Sequence, residues 1–295
     1  MALAGESNRR MNVMPAWATM TMAIAGLLLV LYLLFCPRLN HFFYRPLLFH
    51  PWKSAQSEPV APPLAGVVGE NVYFPSENGK MLNGWLYQNP KATYTIIFNH
   101  GNGGNVAVRA DLVQLLLMAG ASVFIYDYQG YGESVGQPTV EGICEDGASA
   151  YKYLTVSRGV SPDKIILYGE SLGAAVASNI SSRFECKALV LQSGFSSLYR
   201  IACEVFPLLR IYPAFLFPSP GLDNLSVLSK PHPPVLLIHG DEDAVIPVEH
   251  AKALYEQAVG PKKFLELPKT GHADIYATAA HVYVRAMKTF LSTLN

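Results

Sequence analysis

The sequence predicts a mostly parallel α/β sheet with helices on both faces, preceded by one membrane-spanning helix. Short apolar runs of strand length alternate with longer segments of helical periodicity, and glycine-rich turns follow several of these runs. One long apolar segment without charge lies near the N-terminus. Of the 295 residues, 51% are hydrophobic and 15% are charged, which suits a single large core. We therefore expect one folded domain with an N-terminal appendage.

The N-terminal segment has the composition of a transmembrane anchor. No charged residue occurs between Arg10 and Arg38, and residues 23–35 are almost wholly apolar, so a helix here is long enough to span a bilayer. We expect a tail over residues 1–12, an anchor over 13–37 and a single-pass membrane location. The alternative is a cleaved signal peptide, which requires small residues at its cleavage site, whereas the bulky Leu34 and Phe35 end this segment. Positive charges flank both ends, so the side of the membrane is left open.

Residues 38–69 form a predicted juxtamembrane segment and linker. Residues 40–49 (NHFFYRPLLF) mix aromatic side chains with Arg45, which is typical of a membrane interface and equally of a segment packed on the folded domain. Residues 57–63 are proline-rich and aperiodic, as in a linker. We place the folded domain at residues 70–295.

Within residues 70–295 the elements of an α/β fold follow one another. Residues 72–74 and 85–87 are typical of an antiparallel hairpin, because a turn-rich stretch separates them. Apolar runs at 93–99, 122–127, 164–168, 188–191, 235–239 and 264–267 predict buried strands, and residues 110–119 and 142–154 predict helices. Ligands of such sheets bind beyond the carboxyl ends of the strands, so the residues after each run are the candidate site.

The motif GESLG at residues 169–173 indicates a catalytic serine. It follows a predicted strand and opens a helix of small residues, which is the strand–turn–helix context of a G-x-S-x-G nucleophile elbow. Side chains in place of the two glycines would collide with neighbouring backbone in so tight a turn. A surface turn with the same letters is the alternative, but the flanking strand and helix favour Ser171 as the nucleophile.

The segment HGNGGN at residues 100–105 also follows a predicted strand. Its glycines free backbone N–H groups to face a developing oxyanion. We expect the backbone N–H groups of Asn102 and Leu172 to form the oxyanion hole, with His100 supporting the loop. A phosphate-binding loop is the alternative, but neither the G-x-G-x-x-G spacing nor a Walker lysine is present.

A nucleophilic serine in this motif requires an acid and then a histidine later in the chain. The strand at 235–239 is followed by three carboxylates, Asp241, Glu242 and Asp243. His272 follows the last predicted strand and is the only histidine that has the required order and position. The residue pattern thus selects the base, and it leaves the acid to be chosen among three candidates.

Composition excludes several classes of protein. Lysine and arginine equal aspartate and glutamate at 22 each, without a long run of one sign, so we expect no binding of nucleic acid. The four cysteines are scattered without C-x-x-C spacing. We therefore expect neither a metal nor an organic cofactor.

The chain resembles the α/β-hydrolase superfamily in five segments, which are HGNGGN at 100–105, DYQGYGES at 127–134, GESLG at 169–173, HGDEDAVIP at 239–247 and GHADIY at 271–276. It is most similar to the membrane-associated α/β-hydrolase-domain serine hydrolases, a group that includes acyl-protein thioesterases. It departs from them at Ala273, where close relatives commonly have Asn, and in lacking an N-terminal cysteine cluster. The resemblance implies the hydrolase sheet and selects Asp243 as the acid.

The resemblance and the triad order together imply a serine hydrolase that cleaves esters or thioesters of amphiphilic acyl substrates, with Ser171, His272 and Asp243 as catalytic residues. Its expected partners are a lipid or an acylated protein, and the membrane. Residues 194–230 contain several apolar stretches and form a predicted short lid over the serine, with ordinary helix packing on the core as the alternative. The alternatives are a serine peptidase of the same fold and a catalytically silent scaffold.

Overall fold

The computed structural model describes residues 14–53 and 60–294, so the expected tail at 1–12 and the first part of the expected linker lie outside the described residues. The strands are β1 (His50–Pro51), β2 (Gly69–Pro75), β3 (Met81–Tyr87), β4 (Thr95–Asn99), β5 (Gly103–Gly104), β6 (Ser122–Tyr126), β7 (Ile165–Glu170), β8 (Ala188–Gln192), β9 (Val235–Gly240) and β10 (Lys262–Leu267). The helices are α1 (Ala16–Leu34), α2 (His41–Leu48), α3 (Ala110–Met118), α4 (Val140–Lys152), α5 (Leu172–Ser181), α6 (Leu198–Val205), α7 (Asn224–Leu228), α8 (Glu249–Gln257), α9 (Ile275–Thr278) and α10 (Ala280–Ser292).

Eight strands form one sheet in the order β10-β9-β8-β7-β4-β6-β3-β2. All neighbouring pairs are parallel except β2 with β3 and β3 with β6, so the hairpin expected at the start of the domain lies at one edge. The strands of the middle are buried on both faces, as their uninterrupted apolar runs predict. The predicted fold class is confirmed.

The helices pack on both faces of this sheet and divide the core into two clusters. One cluster lies beneath α4 and α5, and the other lies beneath α3 and α10. Helix α4 begins two residues before the predicted segment, because Thr139 caps its N-terminus by accepting the N–H of Gly142 at 2.8 Å. The layers hold the carboxyl ends of the parallel strands at one edge, where the candidate site residues collect.

The N-terminal region consists of one long helix and a short segment that joins the domain. Helix α1 has 19 residues, none of them buried, and by length and composition it is able to cross a membrane, a property it shares with signal sequences. Helix α2 and strand β1 pack on the domain. Tyr44 and Leu48 contact the core, Phe49 is buried within it, and β1 pairs with β5. Packing on the domain, the second interpretation of residues 40–49, therefore describes this segment.

Candidate active site

Ser171 occupies a strained turn between β7 and α5. Its backbone has φ 55° and ψ −117°, a conformation that L-residues rarely adopt. The flanking glycines permit the turn: a Cβ on Gly169 would lie 2.1 Å from the carbonyl oxygen of Gly173, and one on Gly173 would lie 2.0 Å from that of Asn99. The two glycines of the motif therefore allow the helix to approach the strands closely, and Ser171 lines a cavity at the carboxyl ends of the strands.

His272 and Asp243 complete a hydrogen-bonded chain with Ser171. His272 Nε2 lies 3.0 Å from Ser171 Oγ, and His272 Nδ1 lies 2.7 Å from Asp243 Oδ2. The structure thus brings together the three residues that the sequence selects, from loops after β7, β9 and β10. A histidine that donates from Nδ1 presents a free Nε2 lone pair to the serine hydroxyl, as a general base requires.

Asp243 is held as a carboxylate by its surroundings. Burial acts to raise its pKa, but hydrogen bonds from His239 and His272 and from the backbone outweigh burial and hold the pKa below its usual value. His239 Nε2 lies 3.2 Å from Asp243 Oδ2 and 2.7 Å from the carbonyl oxygen of Ile246. His239 is therefore more than a turn residue, because it helps fix the position of the acid. Asp241 and Glu242 are both exposed.

Asn102 and Leu172 both line the cavity that opens on Ser171. Leu172 is the first residue of α5, so its N–H belongs to the helix turn that lacks intrahelical acceptors. The carbonyl oxygen of Asn102 accepts the N–H of His50 at 2.9 Å and the hydroxyl of Tyr131 at 2.6 Å. The side chain of Asn102 donates to the carbonyl oxygen of Leu48 at 3.1 Å. These contacts hold the carbonyl group and the side chain of Asn102 in place.

A buried ion pair connects the two halves of this site. Arg109 Nε donates to Glu170 Oε2 at 2.9 Å, and both side chains are nearly inaccessible to solvent. The guanidinium of Arg109 also donates to the carbonyl oxygen of Gly103. One arginine therefore joins the residue before Ser171 to the loop of Asn102. Sequence reasoning missed this pair, whose only signal was a charged residue inside the serine motif.

His100 and Asp127 lie together under the same loop. Burial, with the nearby Arg109, lowers the pKa of His100 to about 3. Burial raises the pKa of Asp127 to about 8, despite a hydrogen bond from the N–H of Val106 and nearby positive charges. His100 is therefore neutral, and its 3.6 Å contact with Asp127 is no ion pair. Its Nδ1 donates to the carbonyl oxygen of Gly101 at 2.7 Å, which supports the loop.

A second serine–histidine–carboxylate arrangement lies beside the site. His250 Nδ1 is 2.9 Å from Ser196 Oγ, and His250 Nε2 is 2.8 Å from Glu204 on α6. Ser196 is fully buried and its own N–H also donates to His250 Nδ1. Ser196 does not line the cavity over Ser171, and the group fastens α6 to the domain through Glu204.

The cavity over Ser171 has a volume of about 190 Å³ and is bounded by two segments. One wall comes from α2 and the residues before it. The other comes from the predicted lid, in which α6 is followed by 3₁₀ turns at Pro207–Ile211 and Ala214–Leu216. The lining side chains from these two segments are Pro37, Phe43, Tyr44, Leu47, Leu48, Phe195, Leu198, Ile201, Ala202, Val205, Phe206, Leu209, Phe217 and Pro218. Within the described part of the chain, no residue that lines the cavity carries a formal charge.

Taken together, the sheet and the serine at its carboxyl edge define the class of an α/β hydrolase, and comparison with known proteins agrees. A family profile described as "Serine aminopeptidase, S33" matches residues 89–217. An uncharacterized protein of Mycobacterium tuberculosis is 31% identical over 226 residues, which are 76% of this chain and 79% of that protein. The α/β-hydrolase domain-containing protein 17C of Xenopus laevis is 36% identical over 219 residues, which are 74% of this chain and 68% of that protein.

Solved structures share the fold at lower identity. An esterase of Pyrococcus furiosus superposes with a TM-score of 0.67 at 20% identity, covering 84% of this chain and 98% of the esterase. The chain belongs to the α/β-hydrolase superfamily, and the predicted resemblance is confirmed. It is accordingly a hydrolase.

Proposed function

We propose that the protein is a membrane-anchored serine hydrolase that cleaves ester or thioester bonds of amphiphilic acyl substrates. The observation that carries this proposal is the uncharged, apolar cavity that opens directly on Ser171. Apolar walls bind an acyl chain by removing its surface from water, and they offer no partner for a charged group.

The geometry supports an acyl-enzyme mechanism. Ser171 Oγ attacks the carbonyl carbon while His272 Nε2 takes the hydroxyl proton, and the Asp243 carboxylate stabilises the charged imidazole. The N–H groups of Asn102 and Leu172 receive the oxyanion, and each such donor contributes about 2.7 to 4 kcal/mol in comparable enzymes. Collapse expels the alcohol or thiol, which takes its proton from His272. Water then releases the acid by the same steps.

A peptidase is the second candidate, since the matching family profile is described as a serine aminopeptidase. An aminopeptidase must hold a substrate ammonium group near the scissile bond, which requires a carboxylate or equivalent acceptors there. Among the described residues that line the cavity, none is acidic. This lining favours the acyl ester or thioester over the peptide.

The anchor is part of the same proposal. Helix α1 is about 28 Å long at 1.5 Å per residue, close to the roughly 30 Å hydrocarbon core of a bilayer. Its last turn contacts the domain, because the hydroxyl of Tyr212 donates to the carbonyl oxygen of Tyr32 at 2.9 Å. A cleaved signal peptide would leave this contact without its partner, which favours a retained helix.

Full-length protein from the membrane fraction tests both parts. We expect a fluorophosphonate probe to label the protein, Ser171→Ala to abolish labelling, and medium-chain p-nitrophenyl esters or acyl thioesters to be cleaved faster than acetyl esters or peptide amides. Cleavage of a peptide amide faster than any ester would favour the peptidase. A protein without probe labelling or hydrolysis would favour the silent scaffold. N-terminal sequencing that begins after Cys36 would replace the anchor by a signal peptide.

A further inference from the structure

The lid carries apolar side chains that project away from the cavity. Leu208, Ile211 and Phe215, here called the lid patch, are 84%, 61% and 69% exposed. Leu208 and Ile211 are three residues apart in a 3₁₀ turn, so they share one face. None of the three lines the cavity over Ser171. Exposed apolar side chains grouped in this way usually mark a surface that binds an apolar partner.

The end of α1 fixes the level of the lid patch relative to a bilayer. Tyr32 is two residues from the end of α1, and its ring lies 4.5 Å from that of Tyr212. The hydroxyl of Tyr32 also lies 3.4 Å from the carbonyl oxygen of Ile211. Because a helix rises 1.5 Å per residue, Tyr32 lies about 3 Å inside the point where α1 ends. The contacts of Tyr32 with Ile211 and Tyr212 therefore place the lid patch at the depth at which α1 leaves the hydrocarbon core.

The residues after α1 have the chemistry of a membrane interface. Arg38 donates through its backbone N–H to the carbonyl oxygen of Leu216 at 2.9 Å and through its guanidinium to that of Phe215 at 2.7 Å. Tyrosine and arginine are enriched where helices leave the bilayer. Pro37, three residues past the end of α1, already lines the cavity. The cavity therefore begins where the anchor ends.

We propose that the lid patch inserts into the leaflet from which α1 emerges, and that the acyl chain of the substrate enters the cavity from that leaflet rather than from water. The proposal rests on the anchored hydrolase proposed above and specifies the source of its substrate. A bilayer is favoured over a second copy or a soluble partner, because Ile211 of the patch contacts Tyr32 of α1, a helix that has the length and composition of a membrane span.

Lipid quenching of tryptophan fluorescence tests the insertion directly. The full chain is reconstituted in nanodiscs of phosphatidylcholine with or without brominated acyl chains, and Phe215→Trp is compared with Val156→Trp. Val156 is a matched control because it is 81% exposed and does not line the cavity. After subtraction of the unsubstituted protein, we expect brominated chains to quench the tryptophan at 215 and leave that at 156 unchanged. Equal quenching at both positions, or no quenching at 215, would overturn the insertion. No quenching at 215 is the result expected if a second copy or a soluble partner covers the patch.

Activity in the same nanodiscs tests the route of the substrate. The triple variant Leu208→Gln, Ile211→Gln, Phe215→Gln should lose at least about fivefold in hydrolysis of a long-chain ester dissolved in the bilayer, since membrane binding scales with buried apolar area. The triple variant should retain hydrolysis of a water-soluble butyrate ester. The control Val156→Gln should retain hydrolysis of both the long-chain ester and the butyrate ester. Equal loss on both esters, or no loss on either, would refute entry from the leaflet. Failure of the unsubstituted protein to cleave any ester or thioester would refute the proposed function, and the quenching result would stand independently.

Discussion

Replacement of Asp243 by asparagine should disable the proposed base while preserving the fold. Asp243 Oδ1 accepts the N–H groups of Val245 and Ile246 at 2.9 and 2.8 Å, so an asparagine must keep its carbonyl oxygen there. Its amide nitrogen then faces His272 Nδ1, which Oδ2 contacts at 2.7 Å in the native protein. An amide N–H donates, which forces His272 to carry its own proton on Nε2. A protonated Nε2 cannot take the proton of Ser171.

An error of this kind in the histidine tautomer lowers kcat about 10⁴-fold in a serine protease, or about 5 kcal/mol of activation free energy. We expect a loss of this order in Asp243→Asn, measured as kcat on a medium-chain p-nitrophenyl ester. Asp241→Asn is the matched control, since Asp241 is exposed and its one long contact is 3.5 Å from the N–H of Thr270. Thermal unfolding confirms that both variants fold. Retention of kcat within about tenfold in Asp243→Asn, or a larger loss in Asp241→Asn, would refute the reasoning.

Three further predictions concern the scaffold of the site. Gly173→Ala should lower the free energy of unfolding by about 3 kcal/mol or more, because its Cβ would lie 2.0 Å from the Asn99 carbonyl oxygen. Gly221→Ala is the control, since a Cβ there meets nothing within 4 Å. Equal melting temperatures of the two variants would contradict this prediction. Arg109→Met and Glu170→Met should each lower the free energy of unfolding by about 3 kcal/mol, because each leaves a buried charge unpaired. The double variant should recover part of this loss. Additive losses would show that the pair is not coupled. Asp127→Asn should gain stability relative to the native protein as pH rises from 5 to 9. Because the pKa of Asp127 is raised to about 8 in the folded state, the folded state binds more protons than the unfolded state as pH approaches that value from below. The stability of the native protein therefore falls as pH rises. A pH-independent difference in melting temperature between the two proteins would contradict this.

The sequence predicted those parts of the fold and site that depend on local pattern. Buried strands are continuous apolar runs, and the residues just after them meet at one sheet edge. The GESLG motif after such a run therefore indicates Ser171, and position and order in the chain indicate His272. The acid loop offered three carboxylates, and local pattern does not distinguish them. The structure separates them by orientation, because only Asp243 turns inward to two histidines.

Contacts between distant segments had no such signal. Arg109 and Glu170 are 61 residues apart, and Tyr32 and Tyr212 are 180 apart. Glu170 lies inside the serine motif, but neither a motif nor a periodic pattern indicates the partner of Glu170 or of Tyr32. Both pairings follow only once the sheet has placed the loops. The composition of residues 40–49 was equally compatible with lipid and with protein, because aromatic and apolar side chains suit both. Packing against the domain core decided between them only in three dimensions.

The short ladder between β1 and β5 has a consequence for the design of a soluble fragment. His50 pairs with Gly103, and the His50 N–H holds the carbonyl oxygen of Asn102. A fragment that starts at residue 70, the predicted start of the folded domain, would keep Ser171, His272 and Asp243. It would nevertheless lack the clamp on the Asn102 peptide and one wall of the cavity. A soluble fragment that keeps both features must therefore start upstream of the sheet, just beyond the end of α1.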